Sequence, residues 1–312
     1  MKQLIVLLGP TGVGKTELSL RLAEFFSCPI LNADSRQIYR DLPIGTAAPT
    51  PEELQRAHHY FVGTLGLTDY YSAARYEEEA LRVMQQEFER NDVLVMSGGS
   101  MMYIDAVCHG IDDIPTVLPE VRQLLKERLE SEGLDGLLPQ LRLLDPTYYE
   151  QCDLRNTKRV VHALEICYQT GQPYSSFLSG RDSTRQNPHL AQLGFPISVQ
   201  KFGLIRPREE LFDRINLRVE KMLADGLLEE ARRVLPFRHE NSLNTVGYKE
   251  MFEVLDGSWG LPFATARMQK NTRVYAKKQI TWFQRDSGVR WIDLSAETDA
   301  LSTILTHQSA NS

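Results

Sequence analysis

Apolar residues arrive in two rhythms along the first hundred positions. Leu4 to Leu8, Pro29 to Asn32 and Val93 to Met96 are short, nearly continuous apolar runs, the pattern of strands buried on both faces. Between them the apolar positions fall three and four residues apart. Glu17 to Phe25 reads as one helix, and Ala80, Leu81, Met84 and Phe88 beneath a charged face of Glu77 to Glu79 and Arg82 read as another. Strands alternating with helices predict βαβ units around a parallel sheet.

The rhythm changes after about Asp112. Helical spacing persists from Pro119 to Thr170, with Val121, Leu124, Leu125, Arg128 and Leu129 in one pattern and breaks at Gly133, Gly136 and Asp145-Pro146. This predicts a helical insertion over residues 118–194, interrupting a core made of residues 1–117 and 195–312. Gly180 to Pro196 reads as a loop returning the chain to that core. Val199 to Ile205 resumes a strand, and Arg206-Pro207-Arg208 opens a helix with Leu211, Ile215, Val219 and Leu223 on one face. The polar end from about Glu297 is expected to fray.

The chain has 312 residues, long enough for a core and an insertion. No apolar run is long enough to cross a bilayer and no secretory leader opens it, so a cytoplasmic protein without a membrane partner is expected. Cys28, Cys108, Cys152 and Cys167 lack paired spacing, which suggests small buried apolar residues rather than a zinc site or a disulfide framework. The net charge of −6 argues against a nucleic-acid partner, but the charge is unevenly spread. Between Arg267 and Arg290 seven cations, Lys277 and Lys278 among them, are opposed by Asp286 alone. Arg155, Lys158, Arg159 and His162 form a weaker cluster. Each reads equally well as a solvated helix face or as a phosphate-gripping surface.

The stretch that carries chemistry is Gly9-Pro10-Thr11-Gly12-Val13-Gly14-Lys15-Thr16, between the first strand and the first helix, which fits G-x-x-x-x-G-K-[ST]. Such a loop turns backbone N–H groups toward phosphate oxygens at a helix N-terminus, Lys15 adds a charge, and Thr16 can offer its hydroxyl to Mg²⁺. The fold class expected is therefore α/β: a P-loop NTPase-like parallel sheet core with an inserted helical domain. The third strand ends in Ser97-Gly98-Gly99-Ser100, without the acid common in nucleoside triphosphatases. The candidate acid is Asp34. It could reach Mg²⁺ through water, take a proton from a nucleophile, or form a local Asx turn before Ser35. Asp34 and Ser100 are expected to flank the phosphate loop at the sheet edge. Ser100 could donate to developing charge or cap its turn. Arg206, Arg208, Arg214 and Arg218 could serve a departing phosphate group or pair with nearby acids. His58-His59 lacks a ligand set and suggests a turn or packing pair.

The ordered series Gly9 to Thr16, Asp34-Ser35-Arg36-Gln37-Ile38-Tyr39, Gly45-Thr46-Ala47, His58-His59, Gly98 to Tyr103, Arg159-Val160, Ala163-Leu164-Glu165, Gly171 to Ser175, Val246 to Glu250, and Ala276 to Gln279 with Thr281-Trp282-Phe283 resembles the tRNA dimethylallyltransferase family over nearly the whole chain. That resemblance implies transfer of the dimethylallyl group of dimethylallyl diphosphate to N6 of the adenosine beside the tRNA anticodon. It makes Asp34 the proton acceptor, Ser100 an assisting donor where the family has Thr, and Lys15 a stabiliser of the leaving diphosphate. The loop Gly9, Pro10, Thr11, Gly12, Val13, Gly14, Lys15 and Thr16, with Arg208, would hold the diphosphate, and Mg²⁺ would sit near Thr16. Against the tRNA anticodon stem-loop it places Asp34, Ser35, Arg36, Gln37, Ser100, Lys158, Arg159, His162, Thr245, Val246, Gly247, Tyr248, Lys249, Lys277 and Lys278. The adenine would flip from its stack, and the insertion would close over the stem. A monomer of bacterial type is implied.

Ala48, Val62 and His162 depart from the family pattern of Lys, Asp and Arg, which leaves the phosphate loop and Asp34 untouched. Three other classes fit parts of the chain. A small-molecule kinase lacks its strand-end acid, a free-adenylate prenyltransferase needs no basic helix, and a non-catalytic RNA-binding protein needs no intact Lys15, Thr16 and Asp34.

Overall fold

The computed structural model describes residues 1–112, 114–178, 186–296 and 299–309. The chain runs β1 (Lys2–Leu8), α1 (Lys15–Phe26), β2 (Ile30–Ala33), α2 (Pro51–Arg56), β3 (His59–Tyr60), α3 (Ala73–Glu87), β4 (Val93–Gly98) and α4 (Met101–His109). Three helices follow, α5 (Pro119–Leu144), α6 (Pro146–Gln151) and α7 (Thr157–Thr170). It ends with β5 (Ile197–Ile205), α8 (Arg208–Ala224), α9 (Leu227–Val234), α10 (Tyr248–Leu255), α11 (Leu261–Phe283), β6 (Val289–Asp293) and α12 (Ala300–Ser309).

Two compact units divide the chain, Met1–Gly110 with Ser183–Ser312, and Ile111–Asp182. In the first, six strands form one sheet in the order β3-β2-β4-β1-β5-β6, every pair parallel. The three apolar runs supply its centre, and Leu4 to Leu8 are fully buried because helices cover both faces. Register sets the strand ends level: Leu8 pairs with Gly98 and Gly203, and Gly98 with Ala33. The segments after β1, β2 and β4 therefore emerge along one edge, where ligands bind in such sheets.

β3 and β6 lie outside the sequence pattern. β3 is two residues long, too short for a periodicity, and β6 is an edge strand whose Arg290 is exposed while Val289 and Ile292 are buried. The expected fraying is corrected over α12: Ala300 and Ile304, four apart, are buried, and the helix packs on α1, while residues 310–312 lie outside the described residues. Glu297 itself lies outside the described residues.

The second unit has its own core of Leu125, Leu137, Leu141, Val160, Ala163 and Leu164. The break at Gly133 is present, with φ 69° interrupting α5, but Gly136 stays helical. Asp145 ends α5, and its carboxylate accepts from Tyr148 N at 2.9 Å and from Ser175 Oγ and N at 2.7 and 2.6 Å, starting α6. The expected boundary at 194 is corrected. Asn187, buried, donates to Glu77 at 2.8 Å and to the Ala106 carbonyl at 3.0 Å, and Leu190 and Leu193 join the main core, so that stretch belongs to the first unit. Among the described residues no helix is long and apolar enough to cross a membrane.

Candidate active site

A cleft of about 860 Å³ opens on the sheet edge where β1, β2 and β4 end. The loop after β1 forms one side of it. Gly14 caps α1 at φ 110°, a backbone state that side chains disfavour, and this turns the chain into the helix. Thr16 is exposed at that N-terminus, and its hydroxyl has no hydrogen-bond partner among the described residues. Lys15 folds back, its Nζ donating to the Gly9 and Pro10 carbonyls at 3.0 and 2.9 Å. Burial brings this ammonium down to about 8, opposed by the nearby Asp34 carboxylate and reinforced by the Arg218 guanidinium.

The opposite side is the turn after β2. Asp34 Oδ1 accepts the Arg36 N–H at 2.9 Å and, more weakly, that of Gln37 at 3.4 Å, which is an Asx turn. Oδ2 has no partner among the described residues, so the acid serves its turn and still presents an oxygen to the cleft. Ser100 holds the N-cap position of α4, but its side chain makes no capping bond there. Its Oγ accepts the Ser35 N–H at 2.7 Å and steadies the Asp34 turn from behind. The expectation that Asp34 and Ser100 flank the loop is corrected by strand order: β4 lies between β1 and β2, so both residues lie on the same side of the loop.

Cations reach the loop from α8 and from Arg206 just before it. Arg206 donates to the Val13 carbonyl at 2.9 Å and Arg214 to the Gly12 carbonyl at 2.8 Å, bracing the loop from outside. Arg214 and Arg218 line the cleft, and burial lowers Arg218 against the raising effect of Asp34. Arg208, expected on the diphosphate, is instead the exposed first residue of α8, over the Phe212 ring at 5.2 Å and outside the cleft. Position along the helix explains this: Arg208 stands in the first turn of α8, whereas the residues of α8 that line the cleft begin at Arg214 and run to Met222.

Mg²⁺ takes one or two protein oxygens and fills its shell with water and phosphate oxygens. The Thr16 hydroxyl suits that role. Among the described residues no group of three His, Cys, Asp or Glu could hold an ion without phosphate. His59, whose Nδ1 is 2.8 Å from the Ala57 carbonyl, is lowered by burial and packs at the cleft wall, in keeping with the packing reading of the pair.

Residues 37–286 match the family model described as IPP transferase. A tRNA dimethylallyltransferase 1 of Bacteroides thetaiotaomicron is 57% identical over 311 residues, 98% of each chain. That of Phocaeicola vulgatus is 58% identical over 96% of this chain and 97% of its own. The chain belongs to the tRNA dimethylallyltransferase family. Among solved structures, a tRNA isopentenylpyrophosphate transferase of Bacillus halodurans shares 30% identity at a TM-score of 0.70, covering 100% of this chain and 96% of that one. A eukaryotic dimethylallyltransferase described as acting on tRNA shares 25% identity at 0.81, covering 100% and 79%. The fold expected of the family is the one observed.

Apart from Ser100, which holds the Asp34 turn, the family positions expected against tRNA separate into four sets. Asp34, Ser35, Arg36, Gln37, Thr245, Val246 and Lys249 line the cleft, with Arg36 tied to the Asn241 carbonyl at 2.8 Å and Gln37 to that of Ala47 at 2.8 Å. Gly247 and Tyr248 do not. Gly247 is buried with its N–H donating to Glu250 at 2.7 Å, and Tyr248 is fully buried, its hydroxyl donating to Glu230 at 2.6 Å. Glu230 also accepts from Ile44 and Gly45 N–H at 2.9 and 2.7 Å, so Tyr248 fastens the Gly45 turn and is removed from the tRNA set. Lys277 and Lys278 are exposed on α11 outside the cleft. Lys277 shares the Phe212 ring, at 5.5 Å, with Arg208 and Arg273. Lys158, Arg159 and His162 lie on one face of α7 in the second unit, His162 against Glu165 at 3.3 Å.

Two residues without an assigned role emerge. Tyr275 lines the cleft from α11, and Gln279 is buried at its wall; in the sequence Gln279 stands in the Ala276 to Gln279 motif, whereas the signal for Tyr275 is helical spacing from Met268. Cys28, Cys108 and Cys167 are buried, and Cys152 is half-buried against the second core. Burial pushes the Cys28 and Cys108 thiols up to about 12.

Proposed function

We propose that the protein transfers the dimethylallyl group of dimethylallyl diphosphate to N6 of the adenosine adjacent to the tRNA anticodon, as a cytoplasmic monomer. The observation that carries this reading is one cleft holding a phosphate loop with cations at one side and an acid with a spare oxygen at the other. The allylic C–O bond breaks with its electron pair leaving on the diphosphate. The loop amides, Lys15, Arg214 and Arg218 stabilise that charge. N6 supplies the pair for the new C–N bond, and its proton passes to Asp34. Mg²⁺, held by Thr16 and diphosphate oxygens, would neutralise part of the leaving-group charge.

On the acceptor side, Ser35, Arg36, Gln37, Thr245, Val246 and Lys249 border the space an extruded adenine would enter. Lys278, and Lys277 with Arg208 and Arg273 around Phe212, take backbone phosphates, and Lys158, Arg159 and His162 add a contact from the insertion.

The test incubates the protein and Mg²⁺ with dimethylallyl diphosphate and either unmodified tRNA or AMP and ATP, with nucleosides read by mass spectrometry. A C₅H₈ gain on tRNA adenosine alone is expected. Gain on the free nucleotide would replace tRNA as the acceptor, and ATP consumption without gain would replace the reaction.

A further inference from the structure

Backbone groups from two strand ends meet on one side chain. Gln279 Oε1 accepts the Thr11 N–H at 2.9 Å, and its Nε2 donates to the Gly99 carbonyl at 2.8 Å, with the amide buried. The partners fix the amide's orientation, since an N–H only donates and a carbonyl only accepts. Thr11 belongs to the phosphate loop after β1. Gly99 follows β4, and its neighbours hold the Asp34 turn without slack. A Cβ on Gly98 would come within 2.1 Å of the Ala33 carbonyl oxygen. Ser100 donates its N–H to that same oxygen at 3.0 Å, and its Oγ accepts from Ser35 N–H at 2.7 Å.

Glutamine at this site thus bridges the two halves of the cleft from a rigid helix. We infer that Gln279 is a positioning residue for the transfer step: it sets the spacing between the loop that receives the departing diphosphate and Asp34, which receives the proton. The inference rests on the function proposed above. Transfer needs the allylic carbon poised between leaving oxygen and attacking nitrogen, so a displacement of about 1 Å between the halves costs rate more than binding.

Gln279→Met keeps length and loses both hydrogen bonds. In single-turnover assays its transfer rate should fall about 10²-fold, with KM for dimethylallyl diphosphate changed less than about threefold and the thermal midpoint nearly unchanged. Gln279→Glu separates positioning from packing. Its protonated carboxyl can accept from Thr11 and donate to Gly99, whereas the ionised form cannot donate. The ratio of its rate to the wild-type rate should therefore fall as pH rises.

A Gln279→Met rate equal to wild type, a loss that merely follows the thermal midpoint, or a Gln279→Glu ratio independent of pH would overturn the inference. Wild-type protein that moved no C₅H₈ group onto tRNA would overturn the function beneath it, and the inference with it.

Discussion

A single contiguous stretch, Gly9 to Thr16, supplies most of the diphosphate side of the cleft, whereas its acceptor side is gathered from Asp34 to Gln37, Thr46, Thr245, Lys249 and Tyr275 across the chain. The first is local backbone geometry stiffened by Arg206 and Arg214. The second is a tertiary assembly: Ser100 props the Asp34 turn, Arg36 is tied to the Asn241 carbonyl, and Glu230 with Tyr248 fastens the Gly45 turn. A charge-binding device fits into eight residues because a phosphate needs only amides and cations. An acceptor site that distinguishes one base must surround it, and no short segment can.

The largest effect should come from the acceptor side. Asp34→Asn keeps an oxygen for the Arg36 N–H, so the turn survives while the proton acceptor is lost. Its transfer rate should fall about 10³-fold with dimethylallyl diphosphate affinity intact. A loss confined to diphosphate affinity would erase the distinction between the two sides.

On the diphosphate side, the burial that takes Lys15 to about 8 predicts a pH dependence. The empty site binds a proton on Lys15 below that value and releases it above, and an anion favours the charged form. Dimethylallyl diphosphate affinity, measured by calorimetry without tRNA, should be level near pH 7 and weaken toward about tenfold per pH unit beyond about 8. Lys15→Ala should bind more weakly throughout and without that slope. Affinity that stays level across the range would mean the lysine is not what holds the anion.

Tyr248→Phe tests the reassignment of a residue from tRNA contact to scaffold. Losing the hydrogen bond to Glu230 should lower unfolding stability by about 1.5 kcal/mol, read from denaturant melts, with KM for tRNA unchanged. A raised KM at unchanged stability would return Tyr248 to the tRNA side. The smallest effect expected is that of Lys277→Ala with Lys278→Ala: a few-fold weaker tRNA binding and a log–log salt slope shallower by about 1–2, with diphosphate affinity untouched. An unaltered salt slope would make these lysines a solvated face.

The resemblance to one family rested on motifs spread over the chain, and the similarity to known relatives bears it out at the level of family. Individual side chains depend on where the fold turns them. Arg208 and Arg214 look equivalent in a list of arginines, yet of the two Arg214 lines the cleft, because Arg208 lies nearly two turns nearer the start of the helix. Tyr248 sits in a family motif whose neighbours Val246 and Lys249 line the cleft, yet its own ring is buried.

The sequence by itself determined the parallel core, from continuous apolar runs that must be buried on both faces. It also determined the phosphate loop, whose glycine spacing is the binding geometry, and the existence of an inserted helical unit. Only the tertiary structure decided the strand order that puts Asp34 and Ser100 on one side of that loop, the return of residues 187–193 to the main core, and the Gln279 bridge. The reason lies in range. Periodicity and turn chemistry act over a few residues and are written in neighbouring positions, whereas register, burial and a hydrogen bond between residues 11 and 279 exist only once the chain has closed on itself.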